Sequence, residues 1–419
     1  ANNNGHLFLP VSTLIKETYT ILERDEKYFV TIEAIEKAID SLIKQKQIVN
    51  ENGNIFLKRL YKAEVEIADD IKFITSSHKN VFDKKKLNIH QIEKKFGISY
   101  DSLQEEAIRT SLSAKLMVIT GGPGTGKTTV VRGVIEALKL QKCKIKLAAP
   151  TGRAAKRMQE ATGMPSQTIH RLLGINPAER CFDHDKDNPL EGDVLIVDEC
   201  SMIDVSLFAA LMKAIPYNMK LILVGDIDQL PSVGPGNILR DIINSGICPV
   251  TRLNTVHRQA LESKIITNAH KINHGQMPDL NTNKEYDFLF YEEDDGEAIQ
   301  NMIVKLFTYF KSKGAEAQIL SPMKHRSGLG TEELNIKIQE TVNPAGEELK
   351  SGINVFRTND KVMQIKNNYT KKVFNGDVGV ITNVDKHNKV LTVKFEDQPE
   401  PIDYKDGEIG ELILAYACT

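Results

Sequence analysis

The feature that most constrains this sequence is a glycine-rich loop between a strand pattern and a helix pattern. An apolar run from Leu116 to Ile119 precedes the motif G-x-x-x-x-G-K-T, which spans Gly121 to Thr128, and apolar residues at helical spacing follow it. Glycines let backbone N–H groups turn inward around phosphate oxygens, and the helix N-terminus adds a favourable dipole. This order of strand, loop and helix predicts binding of a nucleoside triphosphate.

Two side chains of this loop are assigned to the phosphates and their metal ion. Lys127 is expected to reach the outer phosphates, and the Thr128 hydroxyl is a candidate ligand of Mg²⁺. The other predicted nucleotide contacts are the loop residues Gly122, Pro123, Gly124, Thr125 and Gly126, together with Thr129.

Composition excludes several classes of protein. A chain of 419 residues with 41% hydrophobic content is globular and long enough for about two to four domains. The net charge of −2 excludes a uniformly basic nucleic-acid coat but leaves room for a locally basic groove.

Five scattered cysteines without a C-x-x-C pair argue against a disulfide framework or a zinc ribbon. Without a membrane-length run or a signal peptide, we expect a cytoplasmic protein with no membrane partner.

The first 95 residues are predicted to precede the nucleotide domain. Residues 1–70 alternate helical patterns with short strands around the turn Asn50–Gly53, which suggests a winged-helix-like module. Such a module can bind DNA or serve packing alone, and both readings stay open. Residues 71–95 are predicted to form a linker whose lysine run, Lys84–Lys86, is solvated.

From residue 96 to 251 the pattern is a repeated strand, loop and helix. Four apolar runs each end in a polar or glycine-containing segment: Leu116–Ile119, Ile145–Ala149, Val194–Val197 and Leu221–Val224. In a parallel sheet these ends lie along one edge, where open α/β folds bind their ligands. The chemistry is therefore expected to converge at that edge.

Three polar residues behind these strands are candidate catalytic groups. Asp198 would hold Mg²⁺, and Glu199 would orient and deprotonate the attacking water. Gln229 has the reach to contact a γ-phosphate or its water, although it could merely cap the following turn. Two other polar pairs, His270 with His274 and Cys181 with His184, lack further ligands and are predicted to be surface features.

Residues 252–419 are predicted to form half of a second, similar α/β domain. Its expected elements are a strand at Phe288–Phe290, helices over 298–310 and 332–340, and a strand at Gln318–Leu320. Short alternating strands at Lys361–Ile365, Val378–Val384 and Val390–Phe395, within about residues 350–405, suggest an inserted small β-barrel. The segment Leu412–Thr419 looks like a strand cut off at its carboxyl end, so we expect a fragment.

Taken together, these motifs resemble those of one helicase family. The motifs are Gln104, Gly121–Thr128, Pro150–Lys156, Thr168–Gly174, Asp198–Met202, Gly225–Gly236 and Leu253–Arg258. The chain resembles superfamily 1 DNA helicases of the RecD type, related to the exodeoxyribonuclease V alpha subunit. The resemblance covers about residues 90–419 and also extends to the N-terminal module. It implies a P-loop NTPase with two RecA-like domains, over 96–251 and 252–419, and an SH3-like barrel.

The resemblance also implies roles for individual residues. Gln104 would read the adenine edge of ATP, and Arg258 would reach the γ-phosphate as an arginine finger. Single-stranded DNA would be held by phosphate contacts and base stacking from Thr151, Arg153, His170, Arg171, Lys324 and Asn375.

The implied function is an ATP-dependent, 5′ to 3′ DNA helicase or translocase of repair or recombination, with other repair proteins as further partners. Two alternatives stay open: a motor subunit of a multi-protein helicase and nuclease, and a DNA-binding ATPase switch that does not translocate. The family's last helicase signature and second arginine motif have no counterpart in this sequence, so we expect weak hydrolysis of ATP.

Overall fold

A computed structural model describes most of the chain, in two compact units. The described residues are 5–23, 30–76, 87–174, 182–256, 261–280, 287–325, 328–352, 354–368, 370–396 and 398–419. The first unit extends to residue 279, and the second begins at residue 280. None of the described helices is both long and apolar enough to cross a bilayer.

The N-terminal region consists of helices and a three-stranded antiparallel sheet. Its elements are β1 (Phe8–Pro10), α1 (Val11–Glu23), α2 (Ile32–Lys44), β2 (Ile48–Glu51) and β3 (Asn54–Leu57), with sheet order β1-β3-β2. Ile35, Ile39 and Ile55 form its small core. The helices and the hairpin occur where the pattern placed them, and the winged-helix assignment itself stays a prediction.

The predicted boundary at residue 70 is wrong, because a long helix crosses it. This helix, α3 (Lys58–Ser76), continues directly from β3. Ile67, Ile71 and Ile74 recur at helical spacing and are buried in the core of the large sheet that follows. The helix is therefore a packed element rather than a linker. The predicted lysine run of the linker lies outside the described residues.

A six-stranded parallel sheet with helices on both faces forms the body of the first unit. Its strand order is β6-β5-β7-β8-β4-β9. Its elements are α4 (Ile89–Phe96), α5 (Ser102–Ser113), β4 (Leu116–Gly121), α6 (Lys127–Leu140), β5 (Ile145–Ala149), α7 (Gly152–Thr162), β6 (Ser166–Thr168), α8 (Ile169–Leu173), β7 (Val194–Val197), α9 (Val205–Ala214), β8 (Lys220–Gly225), α10 (Ile238–Ser245), β9 (Val250–Leu253) and α11 (Lys264–Asn273).

The strands at the centre of this sheet are buried on both faces. Every residue of β7 and β8 is buried, as the continuous apolar runs of a parallel sheet require. Separate apolar clusters cover the two faces: Phe208 and Leu211 of α9 lie in one, and Val134 and Leu138 of α6 lie in the other. The sheet is thus a rigid support for the loops at its carboxyl edge.

The predicted start of a second domain at residue 252 falls inside a strand of the first sheet. Strand β9 pairs in parallel with β4, with Ile119 opposite Thr251. Helix α11, which follows β9, also belongs to the first unit. The sequence pattern could not show this, because a strand that returns to the same sheet and one that starts a new sheet are equally apolar.

The second unit contains a small parallel pair and an antiparallel sheet. Its elements are α12 (Gly296–Ser312), β10 (Ile319–Leu320), α13 (Thr331–Val342), β11 (Glu348–Ser351), β12 (Asn354–Arg357), β13 (Lys361–Gln364), β14 (Val378–Asp385), β15 (Val390–Phe395), β16 (Ile402–Lys405), β17 (Leu412–Leu414) and β18 (Ala417–Cys418). Strands β10 and β18 pair in parallel, β11 pairs with β12, and the five-stranded sheet has the order β16-β15-β14-β13-β17.

The predicted strand at Phe288–Phe290 is not formed. Leu289 is 39% exposed, and this segment has no hydrogen-bonded partner strand among the described residues. The short apolar run therefore gave a false strand pattern here. Helices α12 and α13 and strands β13 to β15 lie where the periodicity placed them.

A buried carboxylate joins the elements of the second unit. Asp360 is fully buried, and its oxygens accept hydrogen bonds from the Tyr416 hydroxyl at 2.9 Å and from Asn343 Nδ2 at 2.7 Å. The backbone N–H of Arg357 donates to it at 2.6 Å, and the Gln339 amide also donates. These partners come from α13, the segments after α13 and β17, and β12. The carboxylate therefore ties the helical and sheet layers together.

Candidate nucleotide site

The glycine-rich loop joins β4 to α6 and closes on itself. Gly124 and Gly126 have φ values of 75° and 82°, the left-handed region that favours glycine. The Thr125 hydroxyl donates to the Gly122 carbonyl at 2.9 Å. A β-carbon at Gly121 would lie 2.6 Å from the Leu253 carbonyl, so β9 leaves space for glycine alone. The loop thus has the narrow shape that directs backbone N–H groups inward.

Lys127, the first residue of α6, reaches back over this loop. Its Nζ donates to the carbonyls of Gly121 at 2.5 Å and Gly122 at 3.1 Å. The same nitrogen lies 4.0 Å from Oδ2 of Asp226, whose side chain is 2% exposed. The structure therefore brings the predicted phosphate lysine to an acidic group at the end of β8.

The predicted carboxylate pair lies directly behind β7. Burial raises the pKa of Asp198, while the Glu199 backbone N–H, 2.9 Å from its Oδ1, and the charges of Lys127 and Arg157 act in the opposite direction. Burial is also the main cause of the raised pKa of Glu199, and the charge of Asp198 adds to it. Two carboxylates in one desolvated site, beside a lysine, are suited to holding a cation and activating a water molecule.

Polar atoms without protein partners also lie near these carboxylates. Glu199 Oε2, Ser201 Oγ and Thr120 Oγ1 are buried and make no hydrogen bond within the part of the chain that the structure describes. Glu199 also has a φ of 53°, which is uncommon for a residue with a side chain. Unsatisfied polar atoms and backbone strain concentrate at functional sites, and both occur here.

A cavity of about 660 Å³ opens beside the loop. Its walls come from the loop, the segment after β8, and α11, and they include Gly121, Pro123, Asp226, Gln229 and His270. Gln229 is exposed, and its backbone N–H donates to the Asp226 carbonyl at 3.3 Å. Gln229 and the phosphate loop therefore line the same cavity. The contact of Gln229 with a γ-phosphate stays a prediction.

Gln104 lies beneath the loop and is only 1% exposed. Its Oε1 accepts from the Asp101 N–H at 3.2 Å, which completes a capping box at the start of α5. Its Nε2 donates to the Thr125 carbonyl at 3.4 Å. The side chain supports both a helix terminus and the loop, and its reading of adenine stays a prediction.

Two residues at this site were not predicted to belong to it. Arg157, on α7, lowers the pKa of Asp198 and of Glu199 through its charge. His270 was predicted to be a surface feature, yet it is half-buried and its Nε2 lies 3.1 Å from the Pro123 carbonyl. No local pattern identifies either residue, because each reaches the site through tertiary packing.

Comparison with known proteins now places the chain. Residues 104–235 match the family described as an AAA domain, and residues 334–395 match the SH3 domain of ATP-dependent RecD-like DNA helicases. The chain is similar to RecBCD enzyme subunit RecD of Mycolicibacterium smegmatis, with 30% identity over 384 residues, 82% of this chain and 67% of that protein. The chain belongs to the RecD family of superfamily 1 DNA helicases.

Two further similarities accompany this RecD-family assignment. The ATP-dependent RecD2 DNA helicase of Deinococcus radiodurans is 32% identical over 422 residues, which cover 99% of this chain. The chain spans 57% of that relative's length. A crystal structure of Bacteroides Pif1 bound to single-stranded DNA aligns with a TM-score of 0.42 at 17% identity, covering 76% of this chain and 82% of that one. The family match also confirms the predicted SH3-like domain, although the matched segment begins before residue 350.

Four of the predicted DNA contacts of this RecD-family chain follow β5 and β6. These two strands lie on the opposite side of β7 from β4, the strand that leads to the loop. Thr151 and Arg153 follow β5, and His170 and Arg171 follow β6. Arg153 is exposed, whereas burial lowers the pKa of the half-buried His170. The Thr151 hydroxyl accepts from the Ala154 N–H at 3.3 Å and caps α7. Their contact with DNA stays a prediction.

The remaining site predictions lie outside the first sheet. Lys324 and Asn375 are exposed residues of the second unit. The Asn375 backbone N–H donates to the Asn367 side chain at 2.9 Å. Arg258, the predicted arginine finger, lies outside the described residues, as does Cys181.

Proposed function

We propose that this chain is the ATP-hydrolysing core of a DNA helicase that moves along single-stranded DNA. The observation that supports this most directly is the convergence of Lys127, Asp226 and the pair Asp198 and Glu199 at one edge of a parallel sheet. Open α/β folds bind their ligands at this edge. RecD-family relatives described as ATP-dependent helicases support the same reading.

The nucleotide chemistry follows from the positions of the side chains. Lys127 would leave its loop carbonyls and pair with the outer phosphates, because charged oxygens are stronger acceptors than carbonyls. Glu199, the more exposed of the two adjacent carboxylates, would accept a proton from the attacking water. Gln229 and Arg258 would contact the γ-phosphate region as charge spreads over its oxygens.

The donor set fits Mg²⁺ bound chiefly through the nucleotide. Asp198 and the exposed Thr128 hydroxyl are the proposed protein ligands, and the ion would neutralise phosphate charge. Among the described residues, no group of three or more His, Cys, Asp and Glu side chains could hold a metal by itself. Mg²⁺ in nucleotide sites uses one or two carboxylates with phosphate oxygens, so this scarcity of ligands agrees with the proposal.

The DNA function is proposed from the residues behind β5 and β6. Arg153 and Arg171 would contact phosphates, and His170 would stack on a base. Lys324 and Asn375 of the second unit would extend this track. We propose 5′ to 3′ movement and a role in repair or recombination from family membership.

The decisive experiment is steady-state ATP hydrolysis with and without a single-stranded oligonucleotide. We expect the oligonucleotide to raise the rate of the wild-type chain, and Lys127→Ala to remove hydrolysis in both conditions. A wild-type rate that the oligonucleotide leaves unchanged would contradict a motor and favour a DNA-binding ATPase switch. Hydrolysis that persists in Lys127→Ala would contradict the assigned site.

A second candidate is the motor subunit of a larger helicase and nuclease. It is supported by relatives described as subunits of the RecBCD enzyme. The N-terminal module favours the stand-alone form, because similarity to the Deinococcus helicase covers 99% of the chain. Strand displacement by the purified chain on a tailed duplex separates the two: unwinding without partners supports the stand-alone form.

A further inference from the structure

Helix α11 places a histidine directly against the phosphate loop. His270 Nε2 lies 3.1 Å from the Pro123 carbonyl, and the same ring lines the cavity beside the loop. A β-carbon at Gly122 would lie 2.9 Å from His270 Cε1. The ring therefore covers two consecutive loop residues, and it does so within one unit of the chain.

The rest of α11 is held so that this contact is fixed. Asn268, which is 1% exposed, accepts from the Asp279 N–H at 2.8 Å and donates to the Asp279 carbonyl at 3.1 Å. The Asp279 carboxylate pairs with Lys264 at 3.2 Å and with Lys271 at 2.5 Å. The chain after α11 thus folds back and clamps the helix, which limits the freedom of His270 beside it.

In the hydrogen bond between His270 and Pro123, the histidine is the donor. A carbonyl oxygen only accepts hydrogen bonds, so His270 Nε2 carries the proton and donates it to Pro123. In a trans peptide the carbonyl of one residue and the N–H of the next point to opposite sides. A Pro123 carbonyl held toward His270 therefore turns the Gly124 N–H to the opposite side of the same peptide, and backbone N–H groups of this kind of loop bind phosphate.

We propose that His270 is a positioning residue for nucleotide binding, which orients the Gly124 N–H by holding the Pro123 carbonyl. This inference rests on the proposed function of the loop. It assigns the helix after β9 a part in the phosphate site that none of the motifs in the sequence indicates. We do not assign the Gly124 N–H to the last phosphate of ATP. The affinities for ADP and for ATP should therefore depend on His270 to the same extent.

The test is calorimetric titration of the full chain with Mg²⁺ and either ADP or a non-hydrolysable ATP analogue. We expect His270→Ala to weaken both by about fivefold to tenfold, as for the loss of one hydrogen bond. We expect His270→Gln, whose amide N–H can donate, to recover most of the affinity. The matched control is His90→Ala on α4, where a histidine side chain is 91% exposed and distant in sequence from the loop.

Each other outcome overturns the proposal in a distinct way. Wild-type affinity in His270→Ala means that the contact is not used, and equal loss in His270→Ala and His270→Gln means that the ring only packs. A loss confined to the ATP analogue means that His270 reads the γ-phosphate instead. If the wild-type chain binds neither nucleotide, the proposed function itself fails and this inference fails with it.

A second variant tests the geometry without removing the histidine. Gly122→Ala places a methyl group where the His270 ring now lies, so the ring must move. We expect Gly122→Ala to weaken ADP binding in the wild-type chain and to have a clearly smaller effect in the His270→Ala chain. Equal effects in the two backgrounds would contradict the proposed contact.

Discussion

The Lys127 ammonium lies 4.0 Å from the buried carboxylate of Asp226, across the edge of the sheet from α6 to β8. This pair belongs to a larger group of charges, because both residues act on Glu199: Asp226 raises its pKa and Lys127 lowers it. Burial is the main cause of the raised pKa of the proposed catalytic base, and these charged neighbours modify it. Single substitutions of the neighbours should therefore shift this pKa in opposite directions.

Removal of the Asp226 charge should make Glu199 easier to ionise. Asp226 raises the pKa of Glu199, so Asp226→Asn is expected to move the acid limb of the ATP hydrolysis profile to lower pH. The measurement is kcat/KM against pH on whatever rate the variant retains. An acid limb that moves upward would contradict the assignment of Glu199 as the base.

Removal of the Arg157 charge should have the opposite effect. Arg157 lowers the pKa of both Asp198 and Glu199, so Arg157→Ala is expected to move the same acid limb to higher pH. The neighbouring exposed Lys156 is the matched control, since it has no such effect on either carboxylate. Identical profiles for Arg157→Ala and Lys156→Ala would show that Arg157 does not act on the site.

Asp198→Asn should stabilise the protein in the absence of nucleotide. The pKa of Asp198 is raised in the fold, so its ionised form is disfavoured there relative to the unfolded chain. Below the pKa that Asp198 has in the unfolded chain, the residue is protonated in both states and the fold loses no stability. As the pH rises from there through the higher pKa of the folded state, the fold becomes less stable. At pH 7 we therefore expect a melting temperature above that of the wild type.

The difference between the two proteins should disappear in acid, where Asp198 is protonated in both states. Thermal unfolding at pH 7 and at about pH 3, below the ordinary aspartate pKa of 3.8, measures this. A wild-type chain more stable than Asp198→Asn at pH 7 without ligand would contradict the prediction, because it would mean that the ionised carboxylate is favoured in the fold.

Asp360→Ala should destabilise the second unit strongly. Its carboxylate accepts four hydrogen bonds in a fully buried position, and its removal deletes all four. We expect a loss of about 3–5 kcal/mol in urea unfolding. The matched control is Asp406→Ala, whose side chain is 70% exposed and pairs with Lys389 on the surface. Similar losses for the two variants would contradict the role of Asp360.

Arg153→Ala should weaken binding of single-stranded DNA without sequence preference. If Arg153 contacts a phosphate, its removal lowers affinity for all sequences and reduces the slope of log Kd against log salt by about 0.7. Fluorescence anisotropy over a salt series measures both quantities. Arg109→Ala on α5 is the control, since this side chain is 57% exposed and pairs with Glu105. An unchanged salt slope in Arg153→Ala would remove this residue from the proposed track.

The sequence predicted the elements whose physics is local. The order of β4, loop and α6 follows from an apolar run, glycines and helical spacing, and the continuous apolar runs of β5, β7 and β8 mark buried parallel strands. The carboxyl edge then follows from topology, which is why Lys127, Asp198 and Gln229 were expected together. Strand β15 was also predicted with its observed bounds, because its alternation is regular.

The parts that were missed depend on packing between distant segments. The helix α3 was divided between a module and a linker, although its isoleucines enter the core of the sheet. Strand β9 was assigned to the wrong domain, because its partner β4 lies far away in sequence. His270 and Arg157 lie outside the motifs that the sequence shows, and only tertiary packing brings them to the site. Hydrophobic periodicity identifies which residues of a segment are buried. It does not identify the segment against which they pack.

The order of strands in the first sheet limits how the two ends of the site can communicate. Strand β7 carries the carboxylates and is hydrogen-bonded on one side to β5, which leads to Arg153, and on the other to β8, which leads to Asp226. Strands β7 and β8 are buried throughout, and close packing of this kind resists sliding. Helix α7, which bears Arg153 and Arg157 one turn apart, is therefore a second connection between the predicted DNA residues and the carboxylates.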